Sequence, residues 1–207
     1  METRIARTVE TEVLALTGGA RTQRHDAIVG EEPLELRFQR STAVQTLAVT
    51  MRTPGNDFEL AAGFLHSEGI VADRGEIAEL TYCLDAAIDP EQRYNIVTIE
   101  LRAALDAARL ARFERHFTMN SACGVCGRAQ LESLRELGAT PVDDDVRVGA
   151  QTLYALPDRM RAAQRVFEST GGLHAAALFD EKGETIAVRE DVGRHNALDK
   201  LVGWALL

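Results

Sequence analysis

Arg189-Glu190-Asp191-Val192-Gly193-Arg194-His195-Asn196-Ala197-Leu198-Asp199-Lys200 is one of two segments of the chain dense in chemistry. It follows Thr185–Val188, a short run that reads as a strand. It leads into Asn196–Leu207, where apolar residues recur at helical spacing. A strand thus turns through Gly193 into a helix. The same arrangement aims backbone N–H groups and a helix dipole at one spot, which suits a phosphate. Arg189, Arg194 and Lys200 add cations, and an arginine can grip phosphate through two bonds. Asp199 or Glu190 could meet a base edge or a ribose. The plainer reading is a helix start carrying a solvated run of charge.

Just upstream, Thr170-Gly171-Gly172-Leu173-His174 precedes another strand, Leu173–Phe179. Gly171 and Gly172 would let the backbone approach a ligand closely. The alternative is a helix C-cap followed by a core histidine. Asp180-Glu181-Lys182-Gly183 joins the two strands as a hairpin turn. Before them, Met160, Ala163, Val166 and Phe167 share one face of a helix predicted over Leu156–Ser169.

Further toward the N-terminus, residues from Arg4 to about Thr53 read as strands. Val13–Leu16 ends at Gly18-Gly19, and Leu34–Phe38 alternates apolar with charged residues. Leu47–Met51 is a further strand, and Pro54-Gly55-Asn56-Asp57 a turn into a helix over Asp57–Glu68. Ile77–Leu84 and Tyr94–Leu101 read as strands, Ala103–Arg115 and Arg128–Leu137 as helices. The apolar end Gly203-Trp204-Ala205-Leu206-Leu207 reads as a helix whose packing partners are still to come.

The second dense segment is Ser121-Ala122-Cys123-Gly124-Val125-Cys126-Gly127-Arg128, which holds two of the three cysteines. Four chemistries fit two thiols three positions apart. Zinc would need two more ligands, and no second close pair of Cys or His exists. A thioredoxin-type redox pair usually sits between a strand and a long helix. Two buried small hydrophobes fit poorly beside Ser121, Gly124, Gly127 and Arg128. Sulfur transfer needs an accessible, low-pKa thiol; Arg128 and the following helix N-terminus favour the thiolate, and the glycines give freedom of movement.

Other candidates are weaker. His66 follows an apolar helix face, and His25 and His116 have no partner nearby in sequence. Cys83 reads as a core residue of its strand, and Arg52 as either part of a turn or a phosphate contact.

The chain has 207 residues, 45% hydrophobic and 27% charged, as an ordinary globular domain does. A formal net charge of -9 argues against nucleic acid as a partner, though not against a basic pocket for one nucleotide. The opening Met1-Glu2-Thr3-Arg4-Ile5-Ala6-Arg7 does not resemble a signal peptide, and no apolar run is long enough to span a membrane. A cytoplasmic location with reduced thiols is the expectation.

Taken together, Glu31–Leu36, Met51–Gly55, Gly63–Ile70, Ser121–Gly127, Thr170–Ala176 and Asp191–Lys200 resemble the FdhD/NarQ family, the formate dehydrogenase accessory sulfurtransferases. The matches run in order along nearly the whole chain. The resemblance implies an α/β core similar to the cytidine deaminase three-layer sandwich, over residues 54–207, after a smaller β-rich part over residues 1–53. The cysteine loop would lie at about 118–128. It implies persulfide sulfur taken from a cysteine desulfurase and passed to the molybdenum bis-guanine-dinucleotide cofactor for formate dehydrogenase. Cys123 would be the carrier and Cys126 its helper. The guanine nucleotide part, or a GDP-like mimic, would sit near Gly171, Gly172, His174, Arg194, His195, Asn196 and Lys200. A homodimer is implied. Members continue for several tens of residues beyond the Asp-Lys of the last helix, so the core reads as C-terminally incomplete. Zinc deaminases pair a His-x-Glu with a later Pro-Cys-x-x-Cys. Here no Glu stands two residues after His195 and the cysteine pair comes first, so neither zinc nor deamination is expected. Two alternatives stay open: a non-enzymatic chaperone for the molybdenum cofactor, and a zinc or redox module.

Overall fold

The computed structural model describes residues 6–40, 43–103 and 146–207. The fold is mixed α/β. Strands β1 (Thr8–Thr17) and β2 (Ala20–Val29) form an antiparallel ribbon turning at Gly18-Gly19. Strands β3 (Glu32–Arg40) and β4 (Ala43–Arg52) follow, then helix α1 (Asp57–Ser67), β5 (Ile77–Tyr82), the single helical turn α2 (Pro90–Arg93) and β6 (Ile96–Leu101). Helices α3 (Ala150–Ala163) and α4 (Arg165–Thr170), strands β7 (His174–Phe179) and β8 (Thr185–Asp191), and helix α5 (Arg194–Leu206) complete the described chain.

The main sheet has the order β4-β3-β6-β5. Only the β3–β6 pairing is parallel, which places α1 and β5 in the crossover between them. The sheet therefore joins strands from both sides of residue 53. Alternation in β3 explains the core: Leu34, Leu36 and Phe38 are buried, while Glu35 and Arg37 pair with each other on the opposite face. Against those apolar side chains α1 lays Leu60, Ala61 and Leu65, with Ile77, Val97 and Ile99 closing the cluster. Each buried leucine or isoleucine there contributes about 1.5–3 kcal/mol relative to an exposed one.

Helix α5 packs against α1 on one side and against the β7–β8 hairpin on the other. Its buried residues, Ala197, Lys200, Leu201 and Gly203, fall on one stripe. Gly63 of α1 and Gly203 of α5 meet at the crossing, where each backbone lies against the other helix.

The helix predicted over Leu156–Ser169 is two helices. The chain leaves helical geometry at Gln164, which is buried with ψ 80. The cause is tertiary. Glu190 of β8 accepts the N–H groups of Val166 at 3.1 Å and Phe167 at 2.8 Å, capping α4 with a carboxylate from a distant strand. Glu190 is thereby committed to α4 rather than offered to a ligand. The helices predicted at Ala103–Arg115 and Arg128–Leu137 lie outside the described residues. Among the described residues no helix is long and apolar enough to cross a membrane.

Candidate functional site

The turn from β8 into α5 is built on Asp191, which is fully buried. Its Oδ1 accepts the N–H of Gly193 at 2.8 Å and Nδ2 of Asn196 at 3.1 Å. Its Oδ2 accepts the N–H of Thr53 at 3.1 Å and pairs with Nζ of Lys200 at 2.6 Å. The Lys200 ammonium also donates to the Thr53 carbonyl at 2.8 Å. Thr53 returns the connection by accepting the N–H of Val192 on its hydroxyl at 3.1 Å. Asn196 donates to the Met51 carbonyl at 2.8 Å and accepts from Thr50. One carboxylate, one amide and one ammonium thus fasten the start of α5 to the segment that leaves β4.

That segment has its own buried pair. Arg52 grips Asp57 through Nε and an Nη, both at 3.1 Å, and Tyr82 donates its hydroxyl to the same carboxylate at 3.1 Å. Arg52 also donates to the carbonyls of Glu32 and Tyr94 and to Asn95 Oδ1. Its guanidinium is therefore spent inside the protein, which answers the choice between turn and phosphate contact in favour of the turn.

The sequence-predicted residues divide in two. Lys200 is 1% exposed, with its charge held by Asp191. It fastens the frame from within, held by the Asp191 carboxylate and the Thr53 carbonyl. Burial pushes its pKa down, and the Asp191 carboxylate acts in the opposite direction. Asn196 is likewise tied to Met51 and Asp191. In contrast, His174, Arg194 and His195 are exposed. His174 opens β7 directly opposite Asp191, which brings it to the same end of the hairpin as the first turn of α5. Gly171 is the left-handed C-cap of α4, with φ 68, and its N–H bonds to the Phe167 carbonyl. Gly172 lies exposed over the ribbon, where an added Cβ would come to 3.0 Å from Val29 Cγ2. Cys123 and Cys126 lie outside the described residues. Among the described residues no three His, Cys, Asp or Glu side chains gather as a metal site.

Asp191, Thr53 and Asp57 were not singled out by sequence. Asp191 stands in a run of charges that reads as solvated, and only its partners 138 residues away show otherwise. Thr53 and Asp57 look like ordinary turn residues. The available signal was the pairing of two polar clusters, residues 52–57 and 191–200, each too polar for an ordinary core.

Asp199 faces α1, where it accepts from Ser67 at 2.7 Å. Its pKa is pushed up to about 6, chiefly by burial. Glu68 adds to the rise, while the Ser67 bond and His195 oppose it. The folded state holds this proton between about pH 4 and 6, where the unfolded chain has released it. Stability from Asp199 is therefore full below the unfolded value and is lost as pH rises through about 6. Asp199→Asn should be the more stable protein at pH 8, by up to roughly 3 kcal/mol, with the difference gone at pH 4. Urea unfolding at both pH values checks this; an equal difference at both would remove the titration from the account.

The model of the FdhD/NarQ family matches residues 29–207. The sulfur carrier protein FdhD of Streptomyces avermitilis is 47% identical over 201 residues, covering 96% of this chain and 70% of that protein. The protein of the same name from Streptomyces coelicolor is 48% identical over the same shares. That of Mycolicibacterium paratuberculosis is 47% identical over 200 residues, 96% of this chain and 72% of its own. Among solved structures, a protein described as a formate dehydrogenase accessory protein from Desulfotalea psychrophila superimposes with a TM-score of 0.67. The match covers 98% of this chain and 69% of that one, at 18% identity, and carries the fold.

Proposed function

The chain belongs to the FdhD/NarQ family, and we propose that it is a cytoplasmic sulfur carrier for the maturation of formate dehydrogenase. One observation carries the reading: the family model matches residues 29–207, a range that includes the cysteine pair, and relatives at 47–48% identity bear the name sulfur carrier. The chemistry of two thiols beside Arg128 agrees with it.

In this reading the Cys123 thiolate attacks the outer sulfur of a cysteine desulfurase persulfide. The donor S–S bond breaks, the donor cysteine leaves as thiolate, and Cys123 carries the sulfane sulfur. For release, the Cys126 thiolate attacks Sγ of Cys123. Hydrosulfide leaves, a Cys123–Cys126 disulfide forms, and a small thiol reductant restores both thiols. The receiving substrate is the molybdenum of the bis-guanine-dinucleotide cofactor. Its nucleotide part is proposed to rest at the open end of the β7–β8 hairpin, near Gly171, Gly172, His174, Arg194 and His195. Asn196 and Lys200 act there by holding α5 in place.

The test is activation of formate dehydrogenase in cells that lack their own carrier. The native chain should restore activity, and Cys123→Ala should lower it a hundredfold or more. If Cys123→Ala and Cys126→Ala both restore activity while Arg194→Ala or His195→Ala abolishes it, the protein is a cofactor chaperone instead.

A further inference from the structure

A second concave site lies on the 52–57 segment, to which the α5 turn is fastened through Thr53. Arg7, Pro54 and Gly55 form its rim, Arg52 and Asp57 its floor, and Tyr82 and Tyr94 its wall, around a cleft of about 280 Å³. We infer that this cleft binds a small anion that carries a flat ring, with Arg7 holding the anionic group and the tyrosine wall receiving the ring.

Charge selects the anion. On the floor, Arg52 and Asp57 neutralise one another through two bonds, and Lys200 behind them is neutralised by Asp191. Every buried side-chain nitrogen and oxygen among the described residues has a partner, so the floor asks for nothing more. Arg7 is different. Its two bonds go to neutral acceptors, the Pro54 carbonyl at 3.0 Å and Asn56 Oδ1 at 2.6 Å. No carboxylate among the described residues forms an ion pair with it. Its field still reaches inward, since it is one of the lesser causes, after burial, that lower the Lys200 pKa. The surplus in the cleft is thus one positive charge, in a chain whose formal net charge is -9.

Geometry makes that charge a fixed one. The Arg7 carbonyl accepts the N–H of Gly30 at 2.8 Å, so the backbone is held as well as the side chain. The guanidinium lies on the turn itself: a Cβ at Gly55 would fall 2.5 Å from its terminal nitrogen. Gly55 is at φ 99 and Asn56 at φ 58, two consecutive left-handed residues that give the turn the shape to receive it. A cation already held in place loses little freedom when an anion arrives. The wall is also rigid. Tyr82 and Tyr94 meet edge to face with centroids 5.1 Å apart, and Phe58 supports Tyr82 from behind at 4.7 Å. Small-molecule sites are typically ~300–1,000 Å³, so a cleft of this size holds one ring system rather than a dinucleotide.

Titration calorimetry with two ring-bearing probes tests the inference and separates its sources: guanosine 5′-monophosphate for a phosphate, indole-3-carboxylate for a carboxylate. At least one should bind with a Kd below about 1 mM. Inorganic phosphate, acetate and uncharged guanosine should each bind at least tenfold more weakly. Arg7→Gln should weaken the bound probe tenfold or more, and Arg7→Lys less, because it keeps the charge and loses the fork. Tyr94→Ala should weaken ring-bearing probes only. Circular dichroism melts confirm that each variant is folded. Binding of neither probe, ring-free anions binding as well, or an Arg7→Gln variant that binds as the parent does would overturn the inference. Persulfide loading of Cys123 on the same preparation reports separately on the proposed function, so either can fail alone.

Discussion

Gly63→Ala and Gly203→Ala should each destabilise the protein by about 3 kcal/mol, at the upper end of what overpacking costs. A methyl at Gly63 would drive into the Asp199 carbonyl and lie 2.9 Å from the Gly203 nitrogen. One at Gly203 would drive into the Glu59 carbonyl and lie 2.7 Å from the Gly63 nitrogen. These are backbone atoms, which cannot swing aside. The helices must part, and parting stretches the bond that spans them, Ser67 to Asp199. Helix propensity pulls the other way, since Ala is favoured over Gly by about 1 kcal/mol inside a helix. A large net loss would therefore measure the closeness of the crossing. The double variant should cost less than the sum, because helices already parted accept the second methyl cheaply. Urea unfolding decides it; unchanged midpoints would mean the helices do not touch there.

Lys200→Met should cost about 3–5 kcal/mol. It removes the one cation that, among the described residues, pairs with the fully buried Asp191 carboxylate, and leaves the Thr53 carbonyl without that donor. Asp191→Asn in the same chain should recover part of the loss, since a neutral amide no longer needs the charge. A nucleotide-contacting lysine would behave differently: Lys200→Met would then leave stability within about 0.5 kcal/mol and weaken only ligand binding. Unfolding of the single and double variants separates the two roles.

The strands and α1 were legible because period and burial agree. Leu34-Glu35-Leu36-Arg37-Phe38 alternates in sequence and alternates in the sheet. The break at Gln164 was not legible, because the carboxylate that enforces it comes from Glu190 on a strand 24 residues away from Val166. The α5 start was legible as a place, but the burial of its lysine was not. Its exposed residues, His174, Arg194 and His195, stand where a strand-to-helix turn predicts. Lys200, less than two turns along the helix from Arg194, points inward because it sits on the stripe shared by Ala197, Leu201 and Gly203. A lysine on an apolar stripe is a buried partner in search of a carboxylate, and Asp191 supplies it. The cysteine pair, the richest chemistry in the sequence, lies outside the described residues, so its reading rests on family and on thiol chemistry.

Peptide mass spectrometry decides whether Cys123 carries sulfur. The reduced chain is incubated with a cysteine desulfurase and free cysteine, then digested under alkylating conditions. One added sulfur atom is expected on Cys123, located by fragmentation because residues 116–128 carry both loop cysteines on one tryptic peptide, lost on treatment with a thiol reductant and missing from Cys123→Ala. Sulfur on Cys83 or Cys126 alone, or full loading of Cys123→Ala, would contradict it.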